Sequence, residues 1–573
     1  MNHKKPYPGA IFHLFAAALL LLAACANPVS PTGGPKDNTP PEVLRSVPGN
    51  QSINFNSDKV VITFSEFVSL KDVSNQLVVS PPLAKQPEFT TRGKSLIMKL
   101  KEPLRPNTTY NFFFGNSITD ITENNPLAGY QFTFSTGPVL DSLTLSGKLI
   151  SAFNQQAVKG AFVMLYDSIY DSIPLKSRPY YLARTGETGE FQLNNLRNGK
   201  YLMFALSDGN ADYTYNLPTE DIAFADSLVT PEAAVRKLSK PEDSTSIDSN
   251  ALQMKKVSSV TLRQFREVDS IQKLSKVSLL RENVLSVVFR FPVKKPEIIP
   301  LNPALTGNWS VAAFNRTRDT ITLWIPQPGS DSLKLIVADS GLCRDTVELA
   351  LKFREKNIAK GKARETETKI SLGLKSNIVS SKVKPDQPVV FTFAEPVTRF
   401  DTSLISLKKD SILLKPDFRF EDTVRIRLML HHKWEEGSTY QLIFPDSTFT
   451  GLFGHVNDSI AYRFSAYTES ETSNLKLNLT LPIPDKNYII QLLGEKEKLL
   501  EQRVVGENSS VSFSYLRPGK YRIKVVYDFN RNGIWDTGNY LKKRQPEYTG
   551  YFSKELDLRA NWTVEEDWNI PAP

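Results

Sequence analysis

The stretch of this 573-residue chain best suited to chemistry is YDFNRNGIWDTGNY, residues 527 to 540. Asp528, Asn530, Asn532 and Asp536 stand at positions 1, 3, 5 and 9 of a calcium loop, with Gly533 at position 6. Oxygen-bearing side chains at alternate positions can converge on one hard cation. Calcium takes six to eight oxygens, however, and such a loop closes its shell with a bidentate Glu at position 12. Here that position is Asn539, only Asp528 and Asp536 carry charge, and the preceding KYRIKVVY has a strand pattern. A weaker copy keeps Asp208, Asn210 and Asp212 but puts Tyr213 at the glycine position and Asn216 at the second aspartate. Both stretches are expected to be turns in which Asx side chains cap backbone N–H groups, Gly533 adopting a left-handed conformation. The alternative at 528–538 is a weak structural calcium site, in the range of about 10⁻⁴–10⁻³ M seen for extracellular modules.

Other chemistry is thinner. Glu66 in FSEFV and Glu395 in FAEPV are a carboxylate pair of the kind glycosidases use, but they lie far apart in sequence and read as residues that end or bulge their strands. His431 and His432 fall where a hairpin turn is expected, and His455 is the one further histidine after the leader. There is no phosphate-binding glycine loop, nucleophile elbow or zinc-ligand spacing, and no catalytic site is expected. Trp434, Trp535, Trp562, Trp568, Tyr213, Tyr215 and Tyr540 are candidates for stacking sugar rings, with the C-terminal domain preferred; core packing uses the same residue types. The formal charge of +9 is modest and both signs are interspersed, which argues against a nucleic-acid partner.

The N-terminus carries an address. Lys4 and Lys5 precede an apolar run from Ala10 to Ala24, broken at His13 and too short for a comfortable transmembrane helix. The sequence Leu22-Ala23-Ala24-Cys25 resembles a bacterial lipobox. The resemblance implies cleavage between Ala24 and Cys25 and acylation of the cysteine, whose buried methylenes would anchor the protein at about 0.8 kcal/mol each. Ala26 follows where aspartate would favour the inner membrane, so the outer membrane is expected, with the face left open. NPVSPTGGPKDNTPP then reads as a tether of at most ~50 Å. Of the two cysteines, Cys343 remains as a lone buried thiol, too few for a disulfide framework.

The elements that must position these residues are strands. In KVVITFSEFV, Val60, Ile62 and Phe64 share one face and should meet a core. VVITFSEFV at 60–68 reappears as VVFTFAEPV at 389–397, aligning Tyr110 with Tyr440 and Phe134 with Phe464 downstream. LRNGKYLMFALSDGNADYTY at 196–215 reappears as LRPGKYRIKVVYDFNRNGIW at 516–535. A two-domain unit therefore occurs twice, about 320 to 330 residues apart, which means duplicated domains rather than a solenoid. The first segment, from TPPEVLRSVPGNQSINF through LRPNTTYNF to FTFSTG, resembles bacterial Ig-like domains of the SbsA type. The next, with Gly186 and Gly189 before Phe191 and Gly199 before Tyr201, resembles carboxypeptidase-regulatory or transthyretin-like sandwiches. The whole chain is similar to Ig-like-domain lipoproteins of Gram-negative, Bacteroidetes-type envelopes, a likeness that implies architecture and location but no activity.

The expected fold is all-β, a string of β-sandwiches behind a signal peptide and tether. The layout is a signal peptide (1–24), a tether (25–40), an Ig-like domain (41–137), a transthyretin-like domain (138–230), a linker (231–256), a further sandwich (257–355), a linker (356–369), a second Ig-like domain (370–467) and a second transthyretin-like domain (468–573). Within the sandwich at 257–355, LRQFREVDSIQKLSKVSLLREN has weak helical spacing. The expected role is structural, adhesive or protein-binding, with glycan capture as the alternative. The expected partners are the membrane through the lipid, envelope proteins and a possible glycan, with no cofactor beyond that possible structural calcium.

Overall fold

Alternation decides the architecture. In the strand Lys59–Phe64, Val60, Ile62 and Phe64 are fully buried while the residues between them are partly exposed, as the period of two requires. The computed structural model describes residues 36–233, 259–268, 271–302, 305, 307–341, 343–351 and 371–573. Ala24, Cys25, the tether up to residue 35, residues 234–256 and the whole 356–369 linker lie outside the described residues. The described chain is all-β, with α-helix in two single turns, Val73–Gln76 and Ile173–Lys176. LRQFREVDSIQKLSKVSLLREN contributes to two strands, Ser259–Arg266 and Leu274–Arg281, instead of a helix. Sheet neighbours override its weak helical spacing.

The chain divides into two compact units: Met1–Ile150 with Ala157–Gln264, and Ser151–Gln156 with Phe265–Pro573. Unit 1 opens with a sandwich. One sheet runs Val43–Val47, Lys59–Phe64, Ser95–Lys99, Glu88–Arg92, and the other Val78–Ser80, Thr109–Phe113, Gln131–Ser135. Between them pack Leu96, Met98, Phe112, Phe132 and Phe134, all fully buried. Each such side chain contributes roughly 1.5–3 kcal/mol on burial.

The second sandwich of unit 1 is an eight-stranded sheet in which Ser259–Arg266 lies between Asp221–Phe224 and Leu143–Ser151. The sequence reading starts a new domain at 257, but this strand belongs to the preceding sheet, where Gln264 Nε2 donates to Asp221 O at 3.0 Å. Gly147 permits the pairing, because a Cβ there would sit 2.1 Å from Val260 O. Several hydrogen bonds join the sandwiches, among them Leu182 N–H donating to Ser80 Oγ at 3.0 Å and Arg197 Nη2 donating to Asn107 O at 2.7 Å.

Among the described residues, unit 2 holds three large cores and a smaller one in which Val284, Ala313 and Trp324 pack with Val424 and Ile426. The first packs Leu285, Val287, Ile321, Leu323, Leu333 and Leu335. The second packs Phe391, Leu428, Trp434, Tyr440 and Phe444, and the third Leu475, Tyr488, Ile490, Phe513, Ile523 and Val525. Their neighbours are tied by Trp324 Nε1 donating to Ala394 O at 3.1 Å and Tyr515 OH donating to Glu436 Oε1 at 3.0 Å.

The duplication reaches single hydrogen bonds. Tyr110 OH accepts Arg105 N–H and Tyr440 OH accepts Glu435 N–H, both at 2.9 Å. Tyr201 OH donates to Arg197 O at 2.9 Å, and Tyr521 OH to Arg517 O at 2.6 Å. The two sandwiches that carry the repeated GKY segments also share a β-bulge at the end of their matching strand pairs, where Asn195 (φ 57) and Tyr515 (φ 52) are left-handed.

Candidate functional site

The strand Gly519–Val526 delivers the chain into the loop at 528–536. Asp528 is fully buried; its Oδ1 accepts Asn532 N–H and its Oδ2 accepts Gly533 N–H, each at 2.9 Å. Gly533 has φ 78, the left-handed geometry expected of it. Asn530 and Asn532 turn their Nδ2 groups onto Asp536 Oδ2, the second at 2.7 Å, while Asn532 Oδ1 accepts Ile534 N–H at 3.0 Å. The loop is thus an Asx-capped turn whose polar groups satisfy one another.

The sequence reading missed Glu547. The returning chain brings this half-buried residue beneath the loop, where its Oε2 accepts Asp536 N–H at 3.0 Å and its backbone O accepts Trp535 Nε1–H at 2.9 Å. Burial, with the Asp536 and Asp528 charges adding to it, pushes its carboxyl up to about 7. No motif offset points to Glu547, because it joins the loop through tertiary folding. Among the described residues, no group of three or more His, Cys, Asp or Glu is arranged to hold a metal ion.

The copy at 208–216 solves the same problem with exchanged residues. Asp208 Oδ2 accepts Tyr213 N–H at 2.8 Å, and Tyr213 takes φ 64 where Gly533 stands in the other loop. Asp212, where the other loop has Asn532, receives amides from Asn210 and Asn216. Each loop therefore focuses two side-chain amides on one carboxylate. Buried Glu220 closes this one by accepting Asn216 and Leu217 N–H groups at 3.1 and 3.0 Å.

Glu66 and Glu395 belong to different units, and each follows its strand as the sequence implies. Glu395 is fully buried: its Oε2 accepts Phe453 N–H at 3.0 Å and its Oε1 lies 2.9 Å from His455 Nδ1. Its carboxylate fills the space a Cβ would need at Gly451. His431 ends the strand Arg427–His431, whereas His432 packs edge-on against Trp434 at 4.8 Å, burial lowering its pKa. Of the seven aromatics, Trp434, Trp568, Tyr215 and Tyr540 are buried; Trp535 and Tyr213 are half-buried. Only Trp562 stays open, at 52% exposure, beside the Arg559 guanidinium. Cys343 begins the strand Cys343–Ala350, and its side chain lies outside the described residues.

Unit 1 also contains a cleft of about 1060 Å³ that the sequence did not reveal. Asn111 and Phe113 project into it from the strand Thr109–Phe113, alternating with buried Phe112. Gln131, Gln192 and Asn194 line it as well. These residues are dispersed over two sandwiches, so no local motif unites them.

Residues 37–136 match the family of bacterial Ig-like domains. No curated protein matches the chain. Among solved structures, the major pilin subunit of Bacillus cereus is 11% identical, covering 74% of this chain and 99% of its own, with a TM-score of 0.14. Domains 1–6 of the surface layer protein SbsC are 11% identical over 91% of this chain and 67% of theirs, with a TM-score of 0.14. The native conformation of E. coli alpha-2-macroglobulin is 12% identical over 91% and 43%, again at 0.14. At such scores these likenesses carry no argument about this chain.

Proposed function

We propose that the protein is a structural or adhesive scaffold of the cell envelope, anchored by lipid at Cys25 to the outer membrane. The observation that supports this best is the tying of neighbouring sandwiches within each unit, by Leu182 to Ser80 in unit 1 and Trp324 to Ala394 in unit 2. Hydrogen bonds at such junctions oppose hinge bending and make each unit a stiff presenting surface. The bacterial Ig-like match at 37–136 is consistent with an envelope location. Among the described residues no helix is long and apolar enough to cross a membrane. The anchor rests on the sequence around Cys25 alone. The role is binding rather than catalysis, and the 528–536 loop serves it as a self-capped turn that needs no calcium.

Crosslinking in intact envelopes, followed by purification of the full chain, tests the scaffold. Discrete adducts with envelope proteins are expected; recovery of uncrosslinked monomer alone would contradict it. A second reading, glycan capture, is favoured by one observation, the amide-lined cleft of unit 1.

A further inference from the structure

The sheet face formed by Val78–Ser80, Thr109–Phe113 and Gln131–Ser135 is built in rows. Asn111 pairs with Ser80 on one side and Thr133 on the other; Phe113 pairs with Val78 and Gln131. Strand alternation sends Phe112 into the core and leaves Asn111 and Phe113 on the cleft side. Asn111 is only 8% exposed, and its Oδ1 has no hydrogen-bond partner among the described residues. A buried, unmet acceptor is destabilising, and this one sits on the cleft side of the sheet. Two residues along, Phe113 is 39% exposed, the one large apolar side chain of the lining left open.

The opposite wall continues the chemistry. Gln192 Nε2 donates to Asn194 Oδ1 at 2.8 Å, and Asn194 Nδ2 donates to Gln131 Oε1 at 3.4 Å. A primary amide has two N–H groups and two acceptor sites, so these links hold the amides in place while leaving each with capacity to spare. The lining charges nearly cancel: Lys148, Lys159 and Arg184 against Glu187 and Glu190. Lys159 pairs with Glu187, and Arg184 donates to Gly160 O at 3.0 Å. Such a lining offers little to a polyanion. It also offers little to an extended peptide, since the strand Tyr181–Arg184 already commits Leu182 N–H to Ser80. Hydroxyl groups are donors and acceptors at once, as the amides are. An aromatic face beside them suits the C–H side of a pyranose.

We propose that this cleft is a binding site for a neutral oligosaccharide, with Phe113 as the stacking platform and Asn111 and the Gln131–Asn194–Gln192 amides reading hydroxyls. The inference rests on the glycan reading and moves its site from the C-terminal aromatics to unit 1. The test is isothermal titration of the full-length protein with chitotetraose, maltotetraose, mannotetraose and xylotetraose, with polygalacturonate and a tetra-alanine peptide as controls. At least one neutral tetrasaccharide should saturate. Phe113→Ala should weaken it about tenfold and Gln192→Leu should weaken it too, with melting temperature unchanged in the first because Phe113 is exposed. Binding that Phe113→Ala and Gln192→Leu leave untouched would overturn the site while sparing the glycan reading. Saturation by no neutral sugar would overturn both, and preference for the polyanion or the peptide would overturn the ligand class.

Discussion

Replacing Glu547 by Gln tests the electrostatics of the 528–536 loop. In the folded protein this carboxyl is pushed from 4.5 up to about 7, first by burial and then by Asp536 and Asp528. A folded pKa raised above the unfolded one means that the native state holds the extra proton between about 4.5 and 7. The contribution to stability is full below 4.5 and is lost as pH rises through 7. The undiscounted shift corresponds to about 3 kcal/mol, and because the carboxyl is only half-buried, solvent screening brings the effect to on the order of 1–2 kcal/mol. A neutral Gln still offers an oxygen to Asp536 N–H, so Glu547→Gln should be nearly neutral at pH 4.5 and stabilising by that amount at pH 8. Because five sandwiches need not melt as one, the suitable assay is hydrogen exchange of peptides spanning 519–551 in the full chain, corrected for intrinsic rates. Opening free energy should fall from pH 5 to pH 8 in the wild type and stay level in the variant. An equal fall in both proteins would refute the assignment to Glu547. Millimolar calcium should change neither, because Asn530 and Asn532 present N–H groups to Asp536; a calcium-dependent gain at pH 8 that Glu547→Gln lacks would refute the self-satisfied turn.

Trp434→Ala should cost about 3–5 kcal/mol, because the indole is 1% exposed, donates to Gln387 O at 2.9 Å and packs edge-on against Tyr440 and Phe464; a melt of the full chain that leaves every transition in place would contradict its place in that core. Ser80→Ala strands Leu182 N–H and should lower protection of residues 181–184 in hydrogen exchange by about 1–3 kcal/mol, with unchanged protection refuting the tie. Limited proteolysis should cut first near 230–256 and 355–368, where composition is polar and low in aromatics; N-terminal sequencing that places the earliest cuts within 60–134 would contradict the first sandwich.

Strand chemistry was the legible part. Val60, Ile62 and Phe64 announce their burial by alternation, and the matched pairs Tyr110 with Tyr440 and Phe134 with Phe464 all lie in cores. The turn at 528–536 was legible because Asx capping acts within a few residues. Glu547 was not, since a returning chain delivers it from eleven positions beyond Asp536, past the end of the loop motif. Glu66 and Glu395 look equivalent in sequence, yet only Glu395 is sealed, because Gly451 leaves room for it and Phe453 N–H and His455 meet it. Trp434 and Trp568 looked available for sugars because residue type alone does not separate a platform from a core. The cleft was invisible for the converse reason: Asn111, Gln131 and Gln192 are unremarkable singly and acquire meaning only when two sandwiches bring them together.

Membrane fractionation of the wild type and Cys25→Ser, combined with metabolic labelling by a radioactive fatty acid, tests the envelope-anchored scaffold most directly. The wild-type chain should sediment with outer membranes and carry label, whereas Cys25→Ser should lose the label and leave the outer-membrane fraction. Equal sedimentation and equal labelling of the two proteins would contradict the account.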